Sequence, residues 1–271
     1  MEEILYKKLN QLKEFIKSKK KVLIAFSGGI DSTFLLKVAK DVLGRNLLAV
    51  YINFSVVSED DFNFVLDYTK SLNVELKVIN IDELKIHKFA ENPVDRCYYC
   101  KKTLFEKIIE FAKLNNYKYI FDGSNFDDLK DYRPGEKALK ELNILSPLKD
   151  FKFTKEEIRF LSKSMEISIW NKPSEPCFAS RFPYGVTITK KGLNMVKEGE
   201  KILKDLGFTQ VRVRYHGDIA RIEILNKEFD LMFKKEIMKT INSKFMQVGF
   251  KYITLDLKGY RMGSLNEKNK G

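Results

Sequence analysis

Apolar positions recur along the chain with two different periods. Near the start, Leu5, Leu9, Leu12 and Ile16 stand at helical spacing in a run otherwise rich in Lys and Glu, which predicts an amphipathic helix. Further on, "KVLIAF" (21–26), "NLLAVYINF" (46–54), "VELKVINI" (74–81) and "YKYIFDGS" (117–124) are short apolar, β-branched or aromatic runs of the kind that form buried strands. Helical stretches over roughly 32–43, 58–72 and 100–115 lie between them, and "TKEEIRFLSKSM" opens with Thr154 and Glu157 at capping-box spacing. Strand and helix in alternation predict an α/β domain whose parallel sheet is covered on both faces.

The periodicity breaks in "KPSEPCFASRFPYG" (172–185), where three prolines, Gly185 and several small residues interrupt it. Beyond the break come a helical pattern over about 189–206, the hairpin sequence "QVRVRYHGDIARIEIL" turning at Gly217-Asp218, a second helix over about 227–247 and the strand "KYITLDL". This order predicts a small α+β domain, so the chain is divided into residues 1–184 and 185–271. The tail "NEKNKG" has the composition of a disordered end.

At 271 residues the chain is long enough for two modest domains. The charged first residues do not read as a cleavable signal, and no apolar run approaches a membrane span, so the expectation is a soluble, cytoplasmic protein. Lys and Arg exceed Asp and Glu by 49 to 37, a formal charge of +12 that suits a nucleotide or RNA partner. Gln at only 11, 210 and 247 beside abundant Lys, Glu and Ile fits instead a heat-adapted composition, and no long basic run or aromatic-interleaved patch marks a nucleic-acid surface. Cys97, Cys100 and Cys177 make an odd count without an export signal, which turns attention from disulfides to metal or sulfur chemistry.

"AFSGGIDS" (25–32) places Ser27, Gly28, Gly29, Asp31 and Ser32 between a strand and a helix. Backbone N–H groups converging at a helix N-terminus form an anion site, and bare glycines let a phosphate approach them. Ser27 and Ser32 add hydroxyl donors, and Asp31 suits a Mg²⁺ between protein and nucleotide. An ordinary glycine-containing strand-helix turn is the plainer alternative. The spaced glycines and Lys-Ser/Thr ending of the Walker loop are missing.

The stretch instead resembles the PP-loop of enzymes that split ATP between its α and β phosphates and adenylate a substrate oxygen. That resemblance implies that the loop holds the departing pyrophosphate. In "NPVDRCYYCKKTLF" a Cys-x-x-Cys opens a helix, and "KPSEPCFASRFPYG" carries the third cysteine about eighty residues later. His87 and His216 are the only histidines, and neither has zinc-ligand spacing. Three thiolates suit a [4Fe–4S] cluster with one iron open to an exogenous ligand, while three buried or merely reduced cysteines are the plainer alternative.

Taken with "DGSNFDDLKDYRPG", "SPL", "KPSEPCFASRFPYGVTIT" and "RVRYHGDIARIE", the chain resembles the LarE-type ATP-dependent sulfur transferases of nickel-pincer nucleotide synthesis over most of its length. The resemblance implies adenylation of a carboxylate on a pyridinium dicarboxylic acid mononucleotide, with sulfur then replacing AMP. Some members sacrifice the sulfur of one cysteine in the "PC" motif, here Cys177; possession of Cys97 and Cys100 implies the cluster-bearing variety, fed by a sulfur donor. A persulfide on Cys177, resolved by Cys97 or Cys100, is the competing use.

Asn125 and Asp128, after the fourth strand, are candidates for ATP or Mg²⁺, and Arg133 for substrate or pyrophosphate; a helix cap and a surface ion pair are the alternatives. Arg181 stands four positions beyond Cys177 and places a cation near the proposed sulfur site. Arg212 and Arg214 share one strand face and suit the substrate phosphate, with a solvated, charge-paired sheet face as the alternative. The same motif alignment makes Glu200 and Glu223 candidates for cation binding or subunit contact, and the C-terminal domain a candidate for homo-oligomerisation. Two other functions share the same domain: a tRNA-thiolating enzyme, and an iron–sulfur or nucleotide sensor without turnover.

Overall fold

Alternation of apolar side chains decides which face of the sheet each residue enters. The computed structural model describes residues 2–54, 59–130, 134–173 and 176–261. The chain forms two compact units, Met1–Ile86 with Asp95–Glu175, and His87–Val94 with Pro176–Gly271. The expected boundary at 184/185 thus stands beside a division at 175/176, and His87–Val94 is a short return into the second unit.

The first unit runs α1 (Glu2–Ser18), β1 (Val22–Ala25), α2 (Ile30–Leu43), β2 (Leu47–Phe54), α3 (Glu59–Ser71), β3 (Glu75–Ile81), α4 (Arg96–Leu114), β4 (Tyr119–Phe121), α5 (Gly135–Glu141), α6 (Pro147–Asp150) and α7 (Lys155–Ser164). Its four strands lie in the order β3-β2-β1-β4 and are all parallel, with Val22 opposite both Leu47 and Tyr119. Val22 and Ile24, with Leu47 and Ala49, face the cluster that holds Leu5, Leu9, Leu12 and Ile16 of α1 and Phe34 and Leu35 of α2. Leu23, Leu48 and Val50 enter the opposite cluster with Phe105, Ile108 and Ala112 of α4. The sheet is therefore buried on both faces, which is why its strands read as nearly continuous apolar runs.

The second unit contains α8 (Lys190–Asp205), β5 (Arg212–His216), β6 (Ile219–Glu223), α9 (Phe229–Met232), α10 (Lys235–Val248) and β7 (Tyr252–Leu255). β5 and β6 form the expected hairpin around Gly217, whose φ of 68° is the left-handed conformation such a turn requires. β7 adds parallel to β6, so the small sheet is mixed. Met195 and Leu203 of α8, Val213, Ile222, Ile241 and Phe245 form its core. The returning segment is fixed by Asn92, fully buried, whose side-chain nitrogen donates to the carbonyls of Pro183 at 2.7 Å and Val186 at 3.2 Å.

The capping box forms as the sequence expects. Thr154 Oγ1 accepts from Glu157 N at 3.2 Å, and Glu157 Oε2 accepts from Thr154 N at 2.7 Å. Lys8 Nζ of α1 also reaches Glu157 Oε2 at 2.6 Å. Burial works to raise the Glu157 carboxyl, but Lys8 and the Thr154 N–H outweigh it and hold the group below its ordinary value of 4.5. The contribution of this lowered carboxyl is therefore complete above that value and is lost as pH falls through the folded-state value.

Thr154→Ala is expected to destabilise the first unit by about 1 kcal/mol at neutral pH. Trp170, the single tryptophan, lies in this unit, and its carbonyl accepts from Arg159 of α7, so its fluorescence in a urea titration reads the change. Glu157→Gln should lower the same transition at pH 7 and lose its effect in acid.

Candidate active site

Beyond β1 the chain turns sharply into α2. Gly28 has φ of 74°, and a Cβ there would meet Val65 Cγ2 at 2.9 Å, so both conformation and space call for glycine. Gly29 is the N-cap of α2 and has no capping side chain. The Ser27 and Ser32 hydroxyls stand 3.0 Å apart, Ser32 Oγ accepts from Ser27 N at 3.3 Å, and Thr33 Oγ1 donates to Gly29 O at 2.9 Å. These contacts shape a cradle of backbone donors at a fourteen-residue helix N-terminus, a ready site for phosphate.

The loop after β4 packs directly on this cradle. A Cβ on Gly123 would stand 3.0 Å from both the backbone nitrogen and Cα of Ser32. Ahead of it, buried Asp122 accepts from Ser124 Oγ and from Ser146 Oγ, the latter at 2.5 Å, and lies 3.7 Å from Lys101 Nζ. Asn125 and Asp128 are buried in the next turn and shape it: Asp128 Oδ2 accepts from Asn125 N at 3.1 Å, and Asn125 Oδ1 from Asp127 N at 2.9 Å. Arg133 lies outside the described residues.

Asp31 in the first turn of α2 is joined to Lys155, which no sequence motif marks. Lys155 Nζ donates to Asp31 Oδ2 at 2.6 Å, while Lys155 N donates to Asp127 Oδ2 at 2.8 Å. Lys155 opens α7 and thus ties the glycine turn to the loop after β4. Its identity as one lysine in a Lys-rich chain hides this role; the signal available was its place just after the capping threonine. The other Asp31 oxygen, Oδ1, is buried and makes no hydrogen bond. An orphaned carboxylate oxygen beside a phosphate cradle fits a Mg²⁺ ligand.

Cys97 and Cys100 lie at the start of α4, three residues apart and so on neighbouring positions of one face, the first exposed and the second half-buried. In the second unit, Cys177 is exposed and caps the short helical turn Phe178–Arg181. Among the described residues no group of three or more His, Cys, Asp or Glu side chains stands in position to hold a metal ion.

The polar residues of the second unit depart from the solvated sheet face weighed from sequence. Arg181, Arg212, Arg214, Glu200 and Glu223 are all buried. Arg181 Nε and Nη2 donate to Glu200 Oε1 and Oε2, both at 2.8 Å, and Arg214 Nε and Nη2 donate to Glu223 Oε1 at 3.0 Å and Oε2 at 2.8 Å. Arg214 is opposite Arg221 in the ladder, so it reaches Glu223 diagonally. Both oxygens of each glutamate are thus engaged by guanidinium groups. Arg212 Nη1 donates to Val211 O at 2.6 Å; burial, followed by the nearby Arg181 charge, pushes its pKa down.

A four-stranded parallel sheet carrying a glycine turn at the carboxyl end of its second-from-edge strand defines a PP-loop nucleotide-binding domain. The PP-loop domain family matches residues 1–96. Over 93% of its length the chain is 37% identical to the pyridinium-3,5-bisthiocarboxylic acid mononucleotide synthase of Lactiplantibacillus plantarum, covering 91% of that protein. It is also 37% identical to an uncharacterized protein of Synechocystis (97% of this chain, 98% of the relative) and 36% identical to one of Methanocaldococcus jannaschii (95% and 99%). The chain belongs to the LarE family of ATP-dependent sulfur transferases. No helix among the described residues is long and apolar enough to cross a membrane.

Gly123→Ala is expected to displace the loop after β4 from Ser32 and weaken ATP binding by about tenfold or more, since overpacking costs roughly 1–3 kcal/mol. Isothermal titration with ATP and Mg²⁺ measures it. Asp31→Asn should abolish pyrophosphate release and remove the dependence of nucleotide binding on Mg²⁺.

Proposed function

We propose that this enzyme activates a carboxylate of pyridinium-3,5-biscarboxylic acid mononucleotide and converts it to a thiocarboxylate. The observation that carries the reading is the phosphate cradle at Ser27–Ser32 with Asp31 and Lys155 beside it, in a chain alike over nearly its whole length to a protein named for making the bisthiocarboxylic product. A carboxylate oxygen attacks the α-phosphorus of ATP, the bond to the bridging oxygen breaks, and pyrophosphate leaves into the cradle. The cradle's N–H groups, the Ser27 and Ser32 hydroxyls and Lys155 stabilise the charge on that leaving group. Asp31 would hold a Mg²⁺, which would supply counter-charge to the phosphates, and Asn125 and Asp128 set the loop beside the cradle.

A sulfur nucleophile then adds to the acyl carbon and AMP departs, leaving the thiocarboxylate. Cys97, Cys100 and Cys177 would hold a [4Fe–4S] cluster, whose chemistry is to offer one iron without a protein thiolate to an exogenous sulfide. The residue types fit: two thiols on one turn of α4 and an exposed third at Cys177. Arg133 belongs to this reading as a contact to substrate or pyrophosphate. The small C-terminal region supports self-association, for which exposed Phe233, Met238, Met246 and Tyr252 provide apolar surface.

Three measurements test the reading. Pyrophosphate release should require the mononucleotide carboxylate and should not respond to tRNA; release driven by tRNA, with strongly salt-dependent binding, would move the substrate assignment to nucleic acid. Cys177→Ala should stop thiocarboxylate formation after pyrophosphate has been released. Anaerobically prepared protein is expected to contain about four irons per chain with matching acid-labile sulfide, lost on Cys97→Ala/Cys100→Ala/Cys177→Ala. Iron-free protein after reconstitution would assign the sulfur to a persulfide or to Cys177 itself.

A further inference from the structure

Arg181 is buried to 2% exposure four residues after Cys177, and every side of its guanidinium is engaged. One edge takes both oxygens of Glu200. The remaining nitrogen, Nη1, points back along its own turn, to Pro176 O at 2.7 Å, Cys177 O at 3.3 Å and Ser180 Oγ at 3.0 Å. Its Cζ lies over the Phe178 ring, 5.2 Å from the centroid. Glu200 is itself fixed, because Oε1 also accepts from Val213 N of β5 at 3.0 Å. A second fork reaches the same turn: Arg214, held by Glu223, donates from Nη1 to Ser180 O at 2.9 Å.

A guanidinium so placed is poorly suited to act on the thiol by charge. Its charge is matched at hydrogen-bond distance by a buried carboxylate, and its free edge meets backbone carbonyls. It is well suited to fix a peptide, because a planar fork joins two separate acceptors at set angles while an ammonium can only pair with one or swing between them. We propose that Arg181 is a positioning residue: clamped by Glu200, it fixes the backbone of Cys177 through the Pro176 and Cys177 carbonyls, with Arg214 and Glu223 securing the far end of the same turn. The exposed thiol is thereby presented from a rigid base. The proposal takes from the preceding section only that Cys177 is the residue whose placement matters, and its test does not depend on sulfur transfer.

The test uses the full chain with Cys97→Ser and Cys100→Ser, so that Cys177 is the sole thiol, with and without Arg181→Lys. The Ser180 amide donates to Cys177 O and the Phe182 amide to Ala179 O, so their hydrogen exchange reports opening of the turn. Arg181→Lys is expected to speed exchange at both by about tenfold or more, the effect of losing a hydrogen bond, while β5 and β6 keep their protection. The pH midpoint for alkylation of Cys177 by iodoacetamide should stay in place in Arg181→Lys and in Arg181→Met alike. Unchanged exchange at Ser180 and Phe182 would overturn the proposal. So would an alkylation midpoint that rises in Arg181→Met but not in Arg181→Lys, since that pattern belongs to a charge acting on the thiolate. If Arg181→Lys also unprotects β5 and β6, the comparison passes to Arg181→Met/Glu200→Gln, which removes the buried charge pair together and keeps an acceptor for Val213 N. The same two results then decide.

Discussion

A polyphosphate can be gripped by backbone only where side chains stay out of the way, and the first unit is organised around that exclusion. The turn from β1 into α2 has glycine at 28 because Val65 fills the space a Cβ would need, and the loop after β4 has glycine at 123 because it rests on the backbone of Ser32. Each glycine serves a different approach: one frees the cradle's own conformation, the other lets a neighbouring loop lie against it. The parallel sheet then fixes both loops at the carboxyl ends of adjacent strands, β1 and β4, where open α/β sheets take their ligands.

In the second unit the governing feature is charge without water. Burying Arg181, Arg214, Glu200 and Glu223 is expensive unless each is paired and its remaining hydrogen-bonding groups are satisfied. The bidentate geometry meets that demand, and the leftover donors are turned onto the peptide around Cys177. Apolar residues of similar volume could fill the same space; they could not direct donors at chosen carbonyls.

Much of this arrangement is legible in the sequence, and the places where it is not share a cause. The parallel sheet, the hairpin at Gly217 and the capping box at Thr154 follow from period and local chemistry, as does the phosphate turn. The roles of Arg212, Arg214, Glu200 and Glu223 do not, because a strand that alternates Val and Arg reads as half-exposed and here both of its faces are covered. A buried ion pair has no sequence signature distinct from two surface charges. Lys155 escapes for a related reason: its link to Asp31 spans 124 positions, and only the packing of α7 against α2 brings them together. Asn125 and Asp128 read from sequence as residues of the loop after the fourth strand, but their use in shaping their own turn depends on backbone angles that composition does not record.

The return of His87–Val94 into the second unit bears on how such a protein can be inherited. Asn92 depends on Pro183 and Val186, residues encoded nearly a hundred codons later, and it is followed within five residues by Cys97. The two units therefore cannot be exchanged as cassettes by a single crossover: any join near 175/176 imports Asn92 from one parent and its acceptors from the other. Recombination would preserve the arrangement only when both segments travel together, so the pairing of this nucleotide domain with this partner domain is tied into the order of the chain itself.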